Sequence, residues 1–176
     1  MDFFRICEKQ LKDGRTEISA DFTVVRSSDL MVRGRTFYAI WDETNGIWST
    51  DEYDVQRIVD EGLRKKAEEL KAKGVDCYVK PLQSFGSNSW SQYRKFIASV
   101  SDSSKQLDET LTFSNTEVKK TDYVSRRLPY PLMEGDYSAW DELVGTLYSP
   151  EERAKIEWAI GAVLSGDSKK LQKFLV

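Results

Sequence analysis

Paired carboxylates are the residues best suited by type to do chemistry: Asp42-Glu43, Asp51-Glu52, Asp108-Glu109, Asp141-Glu142 and Glu151-Glu152. Carboxylates brought together on a strand can hold two metal ions for phosphoryl transfer. Each of these pairs instead falls where the sequence predicts a turn or a helix start, and an acid there complements the positive end of the helix dipole. None shows the hydrophobic-Asp-x-Asp pattern of a metal-binding strand. Histidine is absent. That removes Ser-His-Asp and Cys-His catalysis, histidine-ligated zinc and an imidazole pH switch in one step. Cys7 and Cys77 are too few and too far apart for a zinc cluster or a disulfide framework. No Gly-x-x-x-x-Gly-Lys-Ser/Thr loop is present to cradle a triphosphate. The expectation is a non-enzymatic chain with no catalytic residue, no metal site and no cofactor of its own.

Binding groups are better represented. The loop Gln83–Ser89 is rich in serine, asparagine and glycine and precedes an apolar-periodic stretch, Trp90, Tyr93, Phe96, Ile97 and Val100. Ser87 or Asn88 can cap the helix, whose first N–H groups would face an anion, with Arg94 and Lys95 one turn inside. This is the leading candidate for a phosphate-backbone contact; an ordinary capped helix with a solvated basic face is the simpler reading. Lys119, Lys120, Arg126 and Arg127 form a second basic group. Residues 80–130 carry eight basic and five acidic side chains, a net of +3, within a chain of net −3. Nucleic acid would meet this middle section. The run Phe37-Tyr-Ala-Ile-Trp41 could stack bases, although aromatics at alternating positions more often pack a hairpin on a core.

The elements that must position these groups follow from periodicity. Phe3-Phe4, Phe22–Val25 and Leu30–Val32 read as short strands joined by turns at Lys12-Asp13-Gly14 and Arg33-Gly34. Phe37–Trp41 and Ile47-Trp48 flank Asn45-Gly46, a pair that readily takes the positive φ of a tight turn. Ser49–Glu52 starts a helix whose buried stripe is Val55, Ile58, Val59, Leu63 and Leu70, closed by Gly74. Val75–Leu82 reads as a strand. Further on, Leu111–Val118 and Asp122–Leu132 read as paired strands, with Pro129 and Pro131 marking an edge or an exit. Trp140, Leu143, Val144 and Leu147 define a helix over 137–147.

The last stretch is the most strongly signalled. Ser149, Pro150 and Glu152 make a capping box with proline at the first helical position. Ile156, Ala159, Ile160, Val163 and Leu164 then recur at helical spacing, and Gly166 can end the helix. The apolar run Phe174-Leu175-Val176 reads as a strand opening, which suggests a fragment. The fold class expected is α+β: short antiparallel strands and hairpins with packed helices, ending in a mainly helical segment. An N-terminal α/β unit over 1–105 and a strand pair plus helical segment over 106–176 are expected. The buried set should include Phe37, Trp41, Ile58, Val59, Leu63, Phe96, Trp140, Leu143, Ile156, Ile160 and Val163.

A family resemblance rests on two stretches. Trp158-Ala-Ile-Gly-Ala-Val-Leu-Ser-Gly-Asp167 followed by Lys173-Phe-Leu-Val176 resembles the helix and strand that lead into the ATPase core of phage and poxvirus-type primase–helicases, the superfamily-three replicative helicases. The segment Leu111-Thr-Phe-Ser-Asn115 with Tyr123-Val-Ser-Arg-Arg-Leu-Pro-Tyr-Pro-Leu132 is similar to the paired strands upstream of the same core. The resemblance covers residues 107–176, and 20–60 more loosely. It implies a module in front of an ATPase domain that itself would bind ATP and Mg²⁺. It also implies a collar-like role in assembling a ring, with single-stranded or forked DNA as partner.

Two functions therefore stand side by side. One is a replication module that binds DNA through Ser87, Asn88, Arg94, Lys95, Lys119, Lys120, Arg126 and Arg127 and helps assemble a ring. The other is a protein-interaction domain, phage-derived, that acts on a partner without touching DNA. No apolar run approaches the roughly 18–20 residues that span a bilayer, and Met1–Arg5 is not a signal peptide. No membrane partner and a cytoplasmic location are the expectations.

Overall fold

The computed structural model describes residues 2–22, 27–83, 88–108 and 110–165. Two compact units divide the chain, Met1–Gln106 and Leu107–Val176. The architecture is α+β, with two small three-stranded sheets in the first unit.

In the first unit, β1 (Arg5–Gln10) and β2 (Thr16–Asp21) form an antiparallel hairpin around Lys12-Asp13-Gly14. Gly14 takes φ +85°, a conformation open to glycine at little cost, and the Leu11 N–H donates to the Arg15 carbonyl at 2.8 Å. Thr16, Ile18 and Ala20 alternate inward along β2. Every side chain of β1 is exposed, so that strand closes the sheet without entering the core. A second antiparallel set is built from β3 (Leu30–Arg33), β4 (Thr36–Asp42) and β5 (Ile47–Ser49). The β3–β4 turn is Gly34-Arg35, both at positive φ, +60° and +61°. Two central residues of that kind make the hairpin turn whose twist suits the flanking strands. The Asp102 carboxylate accepts from both turn N–H groups, at 3.1 and 3.2 Å. At the β4–β5 turn only Gly46 has positive φ, so Asn45-Gly46 works as the end of a four-residue loop and not as a two-residue turn. A bulge between Met31 and Val32 shifts the β3–β4 register. Phe37 and Trp41, expected in the core, are half-buried, while Ala39 and Ile40 are buried on successive positions.

Helix α1 (Tyr53–Ala72) runs over both sheets. Val55, Ile58, Val59, Leu63, Ala67 and Leu70 are its buried stripe. Each such aliphatic side chain contributes about 1.5–3 kcal/mol when fully buried. Gly74 at φ +78° ends the helix: the Val75 N–H donates to Leu70 and the Gly74 N–H to Lys71, a Schellman close. The strand that follows, β6 (Cys77–Val79), is shorter than the expected Val75–Leu82 and pairs parallel with β2. That parallel pair departs from the all-antiparallel expectation. A parallel return needs a crossover, and α1 lies within it. Helix α2 (Ser89–Ser99) buries Tyr93, Phe96 and Ile97. Phe22 meets Tyr93 and Phe96 at 5.4 and 5.8 Å between ring centroids. Val24 and Val25, assigned to a strand, lie outside the described residues, as do Gly166 and the Phe174–Val176 run.

In the second unit the expected strand pair is replaced by an irregular parallel run with isolated bridges, Asp108 to Val124 and Thr112 to Arg127. Prolines at 129 and 131 cannot donate to a ladder. Pairing resumes between them through the Ser114 N–H to Tyr130, and beyond them through the Asn115 side-chain amide, which exchanges two hydrogen bonds with the Leu132 backbone at 2.8 and 2.9 Å. Two helices follow, α3 (Ser138–Leu147) and α4 (Pro150–Leu164). The capping box at Ser149 and Glu152 is formed as the sequence indicates.

Candidate functional site

The N-terminus of α2 was the leading anion-binding candidate. Ser87 lies outside the described residues. Asn88 is the N-cap, with helical backbone angles and no capping bond from its side chain. It borders a polar cleft of about 370 Å³ with Cys7, Ser19, Asp21, Lys80 and Gln92. The Asp21 carboxylate offsets the Lys80 ammonium there, so the cleft has no net positive charge for a phosphate. Arg94 does not point to an open anion site: its guanidinium binds Glu52 at 2.9 Å and lies 5.3 Å above the Trp90 ring centroid. It closes the start of α1 onto α2. Lys95 is exposed. Behind Arg94, the buried Tyr93 hydroxyl has no hydrogen-bond partner of normal geometry. Burial, and then the Glu52 charge, push its pKa far above the ordinary value.

The other four basic candidates belong to the second unit. Lys119 is exposed, and its backbone N–H is held by the Asp122 carboxylate at 2.8 Å. Lys120 opens the 3₁₀ turn Lys120–Asp122 and is half-buried. Arg126 is exposed, whereas Arg127, next along the extended chain, is half-buried. Alternation along an extended segment sends neighbouring side chains to opposite sides. The eight candidate residues are thus divided between two units, and within them the arginines are in part structural.

The helical pair of the second unit, read from the sequence as collar-like, leaves open to solvent apolar side chains that the sequence assigned to a core. Trp140 turns toward α4, its indole N–H donating to the Glu157 carboxylate at 3.0 Å, and Val144 is buried. Arg153 completes the seam, bonding Glu157 at 2.7 Å and also Asp141. The Arg153 hydrogen bond, then that of Trp140, lowers the Glu157 pKa. On α4 the covered residues are Arg153, Ile156, Ala159 and Ala162, a three-residue spacing. Leu143, Ile160 and Val163, expected in the core, are 60%, 43% and 59% exposed. Trp140 and Ile156 are only half-buried. The reason is geometric: each apolar stripe is wider than one neighbouring helix can cover. Leu143 and Leu147 line a groove of about 390 Å³ with Ala139, Glu142 and Thr146. The signal was present in the sequence as an apolar stripe four residues wide on a helix with one short partner.

Among the described residues no group of three or more carboxylate, cysteine or histidine side chains could hold a metal ion, and no helix is long and apolar enough to cross a membrane. Neither a family model, nor a curated protein, nor a solved structure matches this chain.

Proposed function

We propose that the chain is a non-catalytic docking module that works by protein contact through the α3–α4 pair. One observation carries the reading. Large apolar side chains on both helices, Leu143 and Leu147 on α3 and Ile160 and Val163 on α4, stand open to solvent. Contiguous exposed apolar surface rimmed by polar groups is how proteins present an interaction site. The resemblance to the segment ahead of a superfamily-three helicase core gives the reading a setting, a collar-like contact in a replication assembly. The test is sedimentation velocity and cross-linking of the chain alone and with cell extract, beside the double variant Leu143→Gln/Leu147→Gln. Complexes that form with the wild type and vanish in the variant support docking; identical monomeric profiles overturn it.

A second reading, DNA engagement, is favoured by the exposure of Lys95, Lys119 and Arg126 within the stretch of net +3. It requires binding of a labelled single-stranded oligonucleotide that weakens steeply between about 50 and 200 mM salt. Unchanged anisotropy at low salt removes it.

A further inference from the structure

Resting on the docking reading, we infer that the partner of the α3–α4 face is a basic amphipathic helix carried by another protein. Between Met133 and Leu164 seven carboxylates stand against two basic groups, Arg153 and Lys155, a net charge of −5. Internal pairing does not change that excess. Arg153 is already divided between Asp141 and Glu157, and Lys155 is engaged by Glu151 at 2.9 Å. Glu142, by contrast, lines the open groove itself, beside Leu143 and Leu147. An apolar groove edged by Glu142, on a helix pair of net negative charge, selects a ligand with an apolar stripe and positive flanks, since complementary potentials favour encounter and like charges oppose it.

The shape of the groove selects a helix. Its apolar floor is the i, i+4 pair Leu143 and Leu147, with Ala139 four residues earlier and Thr146 beside them, a ridge running along one helix face. A partner helix presenting apolar residues at i, i+3, i+4 and i+7 packs along such a ridge. A second copy would bring one helix pair of net −5 against another, so a symmetric pairing is opposed by the charge of the segment.

The experiment titrates the full 176-residue chain against a fluorescent synthetic peptide of leucine and lysine, with leucine at i, i+3, i+4 and i+7. A twin peptide with glutamate for every lysine is the control. The expected result is saturable binding of the lysine peptide alone. The double variant Leu143→Gln/Leu147→Gln should weaken it at least about tenfold, equivalent to about 1.4 kcal/mol. Glu142→Gln should weaken it by about threefold or less, as exposed charges are individually modest. Tyr53→Gln, an exposed tyrosine of the first unit, should leave it unchanged. Equal binding of both peptides, lost in the leucine variant, overturns the basic-partner inference and leaves docking standing. Binding of neither peptide, with self-association lost in the same variant, assigns the face to a second copy and also overturns it. Lysine-peptide binding that ignores the leucine variant overturns it as adventitious charge attraction. Binding of neither peptide by a chain that stays monomeric and captures nothing removes both readings.

Discussion

Arg57 Nη2 lies 2.5 Å from Asp42 Oδ2, joining the end of β4 to the second turn of α1. Asp42 is only 2% exposed. It also accepts from the Thr44 and Asn45 N–H groups and from the Asn45 side-chain amide. Arg57 in turn reaches Asp54 and Glu61. Burial alone would lower the Arg57 pKa; the bonds to Asp54 and Glu61 and the Asp42 charge overcome this and raise it. One buried carboxylate thus holds both its own turn and the helix. Asp42→Ala should destabilise the first unit by about 1–3 kcal/mol, the cost of leaving hydrogen-bonding groups unsatisfied, since Arg57 is partly exposed and keeps Asp54 and Glu61. Denaturant unfolding followed by Trp41 and Trp48 fluorescence measures it, and a loss below about 1 kcal/mol would show the pair to be dispensable.

Arg35 offers the opposite sign. It sits at φ +61° in the β3–β4 turn, where a side chain costs about 1–2 kcal/mol that glycine avoids. Its N–H to Asp102 is a backbone bond and survives substitution. Arg35→Gly should therefore stabilise by about 1 kcal/mol after the extra chain entropy of glycine is subtracted. A raised thermal midpoint confirms it; a lowered one means the arginine side chain contributes more than the turn strain costs.

Tyr93 should be improved by losing its hydroxyl. A buried group without a proper partner carries a desolvation cost, so Tyr93→Phe is expected to be neutral or stabilising near pH 7. The folded pKa of Tyr93 is raised above the ordinary value of 10.0. Its contribution is fully present below pH 10 and is lost as pH rises further, because the unfolded chain then ionises more easily. The phenylalanine variant should lose less stability than wild type above pH 10. Parallel alkaline curves for the two proteins would contradict this.

Acid should act on the α3–α4 seam. Glu157 and Glu152 both have pKa values lowered below the ordinary 4.5, the first mainly by the Arg153 bond and the second mainly by the Ser149 N–H. Their support is full above pH 4.5 and disappears as pH falls through the lowered folded-state values. Near-ultraviolet circular dichroism from Trp140 should therefore fade in that acid window. Glu157→Gln should remove much of the pH dependence, and an unchanged acid profile in that variant would sink the assignment.

Much of the fold was legible in the residues. The stripe of α1, its close at Gly74, the turn at Lys12-Asp13-Gly14 and the Ser149 capping box are set by local chemistry, and each forms where the sequence placed it. The Arg33-Gly34 turn forms one residue later, and Asn45-Gly46 ends a longer loop. The half-burial of Phe37 and Trp41 was not legible, because alternation shows which residues share a face and not how fully that face is covered. The parallel pairing of β2 with β6 depends on two strands far apart in the chain, and no local pattern encodes it. In the second unit the apolar periodicity of α3 and α4 was read correctly as helix but wrongly as core. Periodicity shows that a face is apolar; it does not show that enough neighbours exist to cover it. The pairing of Arg94 was hidden for a related reason: it is a basic residue at a helix start, and only the fold brings Glu52 to it.

The pairing of Thr16 with Cys77 has a consequence for how the first unit comes into being. The hairpins at Gly34-Arg35 and Gly46 close over a few residues and can form as soon as they are made. The β2–β6 pair closes a span of about sixty, which is slow because chain entropy is lost before any contact rewards it. During synthesis β1 and β2 must wait, as an open two-stranded ribbon with an exposed edge, until α1 and β6 have left the ribosome. Arg5, Glu8 and Lys9 lie on β1, the opposite edge of the sheet, where their charge discourages pairing with another chain both before and after β6 docks. A strand that adds no side chain to the core thus protects the outer edge of the sheet.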